Sequence, residues 1–261
     1  MRRPGVRKAA RVRASVPFPT PDSFPAGHIV AGGDTVAAGR PAAAGPRLLV
    51  AVTGSDGAGK TSITGSVLAE LRARSVNLAL SDRWDIVGDP IGYPTARFLV
   101  EDIPLIRTCL TDMSPLSRLL FLLWTMQMSL ADRASAAGGA LLVDSYWMKH
   151  AASEVVYGLD ANWVRTACGA LPRADEVIYL RVPAELAWQR IGPSANAYEC
   201  GMDRTCSKAS FLRHQQAIQA VLDDWAETGG WTVVDAAGPP DQVRDRVREV
   251  VGAVLGRQER T

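Results

Sequence analysis

Lysine is nearly missing from this chain. Only Lys8, Lys60, Lys149 and Lys208 occur in 261 residues, so 25 of the 29 cations are arginine. A large excess of one charge sign is missing too, for the net charge is only +2. That sum hides an uneven distribution: residues 1–46 hold seven basic and two acidic groups, the remainder 22 basic and 25 acidic. A slightly acidic body gives no support for a nucleic-acid-binding surface, and no nucleic-acid partner is expected. Long apolar runs are absent. The longest, Leu119 to Trp124, falls far short of the ~20 residues that span a bilayer, which argues against a membrane partner. The basic N-terminus lacks the apolar stretch of a secretory signal. The four cysteines are scattered with no CxxC pair, so a reduced, cytoplasmic protein is expected. Cys200, Cys206 and His214 come nearest to a metal set, but without the tight paired spacing of zinc ligands.

What is present reads as one α/β domain. Residues 1–46, rich in Ala, Gly, Pro and Arg, read as a disordered basic tail, with a partner-touching arm as the alternative. From residue 47 short apolar strands alternate with helical stretches. Strands are predicted at Leu48–Val52, Val76–Leu80, Ala140–Val143, Asp175–Val182 and Trp231–Asp235. Helices are predicted at Lys60–Arg74, Thr95–Leu110, Pro115–Ala136, a short one from Pro183, Ser210–Glu227 and Asp241–Leu255. The Pro115–Ala136 stretch is apolar on most faces and is expected to be buried. Such alternation implies a five-stranded parallel sheet with helices on both faces.

The first strand runs into Gly54-Ser55-Asp56-Gly57-Ala58-Gly59-Lys60-Thr61, a full match to G-x-x-x-x-G-K-[ST] between strand and helix. The glycines permit backbone torsions that turn successive amide N–H groups into one concavity. The helix that follows adds the positive end of its dipole. Lys60 is then expected on the β- and γ-phosphates of ATP, and Thr61 on Mg²⁺, with Ser62 completing the set. It is telling that an arginine-dominated chain keeps lysine here, where a compact ammonium is needed. Asp144, closing an apolar strand, suits a second Mg²⁺ ligand; a helix cap is the alternative.

In order and content these motifs resemble the thymidylate kinase family of nucleoside monophosphate kinases. Thr53 to Thr61 is similar to the family's E-G-x-D-G-A-G-K-T loop, Ala131-Asp132-Arg133-Ala134 to its A-D-R-A, and Asp144-Ser145-Tyr146 to its D-R-Y. Glu176 to Leu180, with Val182-Pro183 and Arg190, looks like the strand and helix before its mobile lid. The resemblance implies a P-loop NTPase fold over 47–261 with a lid at about 192–207. It also implies that Asp56, Arg83, Arg133 and Tyr146 meet the acceptor, and that Arg204, backed by Lys208 and Arg190, brings positive charge to the reaction. Family members are often dimers, so a homodimer is expected.

Three departures fall in the acceptor half. Ser145 replaces the arginine of D-R-Y, Ser129 stands where an aromatic often stacks on the base, and Thr53 replaces an acidic residue. The expectation is an ATP- and Mg²⁺-dependent phosphotransferase acting on a nucleoside monophosphate such as dTMP. The alternative is a kinase for a modified nucleoside or another small molecule of specialised metabolism. A nucleotide-binding regulator ranks third, since the guanine-reading N-K-x-D is absent.

Overall fold

The computed structural model describes residues 48–89, 91–100, 102–137 and 139–258, apart from the side chains of 131–137, Pro193 and Gln258. The expected disordered tail at 1–46 lies outside the described residues.

β1 (Leu48–Thr53) is buried along its whole length, as a central parallel strand must be. Its side chains alternate between two cores. Leu48, Val50 and Val52 face α1 (Lys60–Ala73) and α8 (Pro240–Gln258). Leu49 and Ala51 face the opposite layer, built from α3 (Pro115–Ala137), α4 (Trp147–Val156), α5 (Ala161–Cys168) and α7 (Lys208–Gly229). Joined by β2 (Leu78–Ser81), β3 (Ala140–Asp144), β4 (Glu176–Arg181) and β5 (Thr232–Asp235), the sheet is parallel throughout, in the order β2-β3-β1-β4-β5. The chain leaves β1 for β2, beyond β3, and later returns to β4 on the other side of β1. Crevices at such a reversal, outside the carboxyl ends of strands, are where open α/β sheets take ligands. Asp144 ends β3 level with Val52 of β1, at that edge.

The predicted face of α1 is the buried one: Ile63, Val67, Leu68 and Leu71 all lie in the core. Val243, Val247, Val251 and Val254 do the same for α8, and Val250 is half-buried. Other expectations need correction. The predicted helix over Thr95–Leu110 is broken into a short turn at Pro94–Ala96 and α2 (Ile103–Asp112). Asp102 caps α2 by accepting from Leu105 N at 2.8 Å, and Pro104 in its first turn cannot donate to a preceding turn. α3 is less buried than its composition suggests, with Leu116 45 % and Leu120 51 % exposed. α4 and α5 were not expected, nor was the helical start of α7 at Lys208. α6 (Ala184–Ile191) follows Pro183 as predicted. Residues 192–207 hold two short 3₁₀ turns, Gly192–Ser194 and Ala197–Cys200. Cys200 and Cys206, expected reduced, are joined as a disulfide there, with Cα atoms 5.2 Å apart. Cys109 and Cys168 are free. Among the described residues no cluster of three or more His, Cys, Asp or Glu side chains is placed to hold a metal, and no helix is long and apolar enough to cross a membrane.

Leu142 is fully buried at the middle of β3 and packs into the α1/α8 core. Leu142→Ala should lower unfolding stability by about 2–5 kcal/mol, read from denaturant midpoints at constant slope.

Candidate active site

The turn after β1 is shaped by two close constraints. At Gly57, φ is +80° and an added Cβ would lie 2.8 Å from the carbonyl oxygen of Ala187 on α6, so the loop fits against that helix only without a side chain. At Gly59, φ is +86° but nothing lies within 4 Å of an added Cβ. The space before the first turn of α1 is thus open, as a phosphate cradle requires. Two glutamines one turn apart on α7 hold the loop from behind. Gln215 accepts from Asp56 N at 3.0 Å and donates to Asp56 Oδ2 at 3.1 Å; Gln219 donates to Ser55 Oγ at 3.1 Å and to Val182 O. Ala58 is buried beneath the turn. Arg190 donates to Gly57 O at 3.3 Å and Ala236 O at 2.8 Å. Lys60 folds back on the loop and donates to Ser55 O at 2.8 Å. Burial depresses its ammonium pKa, with Lys149 adding to the effect and Asp56 and Asp144 opposing it. An anion arriving in the cradle would relieve that burial cost.

The loop opens into a cavity of ≈ 220 Å³. Asp56, Lys60 and Thr61 form one wall; Arg83, Arg107, Arg118, Lys149 and His150 bring cations and an imidazole to the others, and Tyr198 and Glu199 close it from the 192–207 segment. Lys149 Nζ stands 2.9 Å from Asp56 Oδ2, its side chain 4 % exposed. Burial pushes Asp56 up, but Lys149 and Lys60 more than offset this and hold it below the usual carboxylate range. Deeper in, Arg118 Nε and Nη2 grip Glu154 Oε1 and Oε2, each at 2.7 Å, while Arg118 Nη1 donates to Leu110 O and Met113 O. Tyr198 OH donates to Glu154 Oε1 at 3.0 Å, tying the 192–207 segment to this pair.

The structure brings most of the predicted donor-side residues together: Asp56, Lys60 and Thr61 line the cavity, with Gly54, Ser55, Gly57, Ala58, Gly59 and Ser62 in the same turn. Thr61 at the head of α1 and Asp144 at the tip of β3 are oxygen ligands of the kind Mg²⁺ takes, and the field of Asp144 reaches Lys60. Arg83 lines the cavity, its Nε buried without a partner. Tyr146 does not join it. Fully buried, it donates to Pro172 O at 2.8 Å. Arg204 stands outside, 88 % exposed and 3.4 Å from Asp112. Ser129 is buried with its hydroxyl donating to Met126 O, so from α3 it is Arg118 and Leu122 that reach the cavity. Arg133 lies outside the described side chains.

Arg107, Arg118, Lys149, His150, Tyr198, Glu199 and the two glutamines were not expected here. One signal pointed to Lys149: it is among the few lysines, five residues after Asp144.

No family model matches the chain. It is 26 % identical over 212 residues to a probable thymidylate kinase of Archaeoglobus fulgidus, covering 80 % of this chain and 96 % of that one. A thymidylate kinase of Xylella fastidiosa is 26 % identical over 73 % of this chain and 88 % of its own, and one of Caenorhabditis elegans 29 % identical over 43 % and 46 %. With the parallel sheet and the glycine-rich loop, these relatives make the chain a P-loop nucleotide kinase, a phosphotransferase. Within that class it is a divergent relative of the thymidylate kinase family.

Arg118→Met should cost about 3–5 kcal/mol of stability because Glu154 is left buried and unpaired, and the double variant R118M/E154M should recover most of it. Denaturant midpoints of the three proteins check this. A second expectation concerns pH. Burial, with Arg83, Lys149 and Lys60 nearby, holds His150 well below its ordinary pKa; burial and then Lys149 bring His214 to about 4. Below pH ~6.5 the unfolded chain protonates both imidazoles while the folded chain resists, so stability present above that pH is lost as pH falls. Between pH 7 and 5 the loss should be about 1–2 kcal/mol per histidine, and an unchanged urea midpoint would contradict it.

Proposed function

We propose that this chain transfers the γ-phosphoryl group of ATP to a nucleoside monophosphate, with dTMP the first acceptor to test. The carrying observation is a glycine-shaped cradle that leaves open space above Gly59 and shares one cavity with Lys60, Asp56 and a cationic far wall. ATP enters with its β- and γ-phosphates on the loop amides and Lys60 swings from Ser55 O onto them. Mg²⁺, held by Thr61 and Asp144, neutralises phosphate charge when bound. The acceptor lies across the cavity toward Arg83, with the 192–207 segment, through Tyr198 and Glu199, excluding water over it. Phosphoryl transfer asks the protein for alignment and charge neutralisation rather than covalent chemistry. Because Arg204 pairs with Asp112 outside the cavity, it takes part only through a movement of its segment.

Ser145 favours a second reading. A neutral hydroxyl stands where the related motif has arginine, so an acceptor other than dTMP, such as a modified nucleoside, fits the altered wall.

An ATP-consumption screen over nucleosides and nucleoside monophosphates, with product masses, tests both readings. Lys60→Ala should lower turnover by at least about 10²–10³-fold with an unchanged circular dichroism spectrum. Turnover near wild type in that variant would contradict the scheme.

A further inference from the structure

Lys149 and His150, on the first turn of α4, are the least explained groups in the cavity. Both are nearly buried, Lys149 3 % and His150 4 % exposed, and both line the space that opens from the loop. Lys149 carries three N–H donors. One meets Asp56 at 2.9 Å, and the ammonium lies 4.9 Å from the centroid of the Tyr198 ring. His150 has neither ring nitrogen bonded to any protein group. A buried imidazole without a partner loses about 1–3 kcal/mol unless a ligand or water completes it. Four residues before Lys149, Ser145 provides no charge, and its backbone is held at φ +54°, a left-handed conformation costly for a residue other than glycine. That turn carries the chain from the tip of β3 into α4 and so sets Lys149 and His150 at the cavity wall.

We propose that Lys149 and His150 form the acceptor-phosphate subsite of this chain, the Lys149 ammonium taking over the role that Ser145 cannot fill and neutral His150 donating one N–H beside it. This rests on the nucleotide-kinase reading above and adds the residues that hold the acceptor. Before the acceptor arrives, Asp56 keeps the buried ammonium charged and in place. A monophosphate dianion then meets the two remaining N–H groups of Lys149. A lysine suits this position because its compact ammonium can serve a carboxylate and a phosphate together from one point.

The test uses dTMP as probe, followed by the other nucleoside monophosphates, with binding measured by calorimetry without ATP and turnover measured with it. Lys149→Met should weaken monophosphate binding and raise its KM about 10–100-fold, with a smaller rise in KM for ATP. His150→Phe should weaken acceptor binding by a smaller factor. A merely structural Lys149 would act only by neutralising Asp56, and the neutral pair D56N/K149M would then bind the monophosphate no more weakly than Asp56→Asn alone. On our assignment D56N/K149M binds the monophosphate more weakly than Asp56→Asn alone, because only the single variant still carries an ammonium for the phosphate. If Lys149→Met fails to fold, the comparison of D56N/K149M, which buries no unpaired charge, with Asp56→Asn decides. Wild-type turnover matched by folded K149M, or a D56N/K149M variant that binds the monophosphate as well as Asp56→Asn, overturns this inference and leaves the functional reading standing. A wild-type chain that neither binds nor phosphorylates any monophosphate overturns both.

Discussion

The two halves of this site are joined by one ion pair. Asp56 belongs to the phosphate loop after β1, Lys149 to the helix after β3, and their charged atoms meet at 2.9 Å with both side chains largely buried. Neither could be buried alone without a large desolvation penalty. Together they are tolerated, and Gln215 from α7 binds the same carboxylate and the same backbone segment. The loop therefore keeps its shape through contacts from α4, α6 and α7 as well as through its own glycines. Lys60, in turn, lies within the fields of Asp56, Lys149 and Asp144, so the charge that would meet ATP is set by the same junction.

Around that junction the cavity concentrates positive charge. Arg118 is fully engaged by Glu154 and two carbonyls, which makes it a structural cation. Arg83 and His150 hold buried nitrogens with no protein partner. In a well-packed interior such atoms are rare, and their gathering in one cavity marks a place finished by a ligand. The fold explains why they gather: parallel strands β1 and β3 deliver their C-terminal turns to the same edge, and the order reversal at β1 leaves a crevice between them.

Much of this was legible in the amino-acid sequence. The apolar run before Gly54 announced a strand buried on both faces, and the spacing of Ile63, Val67, Leu68 and Leu71 marked the inner face of α1. Lys60 and Asp56 were readable because a phosphate loop is a local object whose residues are neighbours in the chain. The acceptor wall is assembled from distant segments, and there reading from the chain failed. α4 was missed because Lys149, His150, Ser153 and Glu154 are polar yet buried, so the helix shows no apolar stripe against a polar one. Tyr146 was expected at the ligand because of its place in a motif, but its ring completes the core. Arg204 was favoured for its position in a loop, while Arg118, hidden before an apolar run, reaches the cavity together with Arg83 and Arg107. No local pattern distinguishes a surface arginine from one that a distant glutamate draws inward.

The central claim is that the turn from Gly54 to Thr61 holds the phosphates of a nucleotide with Lys60 beside them. A crystal structure of the chain with ADP, Mg²⁺ and dTMP tests it most directly. The β-phosphate should lie on the loop amides above Gly59, with Lys60 Nζ moved from Ser55 O onto a phosphate oxygen. Nucleotide bound elsewhere, with Lys60 still on Ser55 O and the cradle filled by protein, would contradict the account.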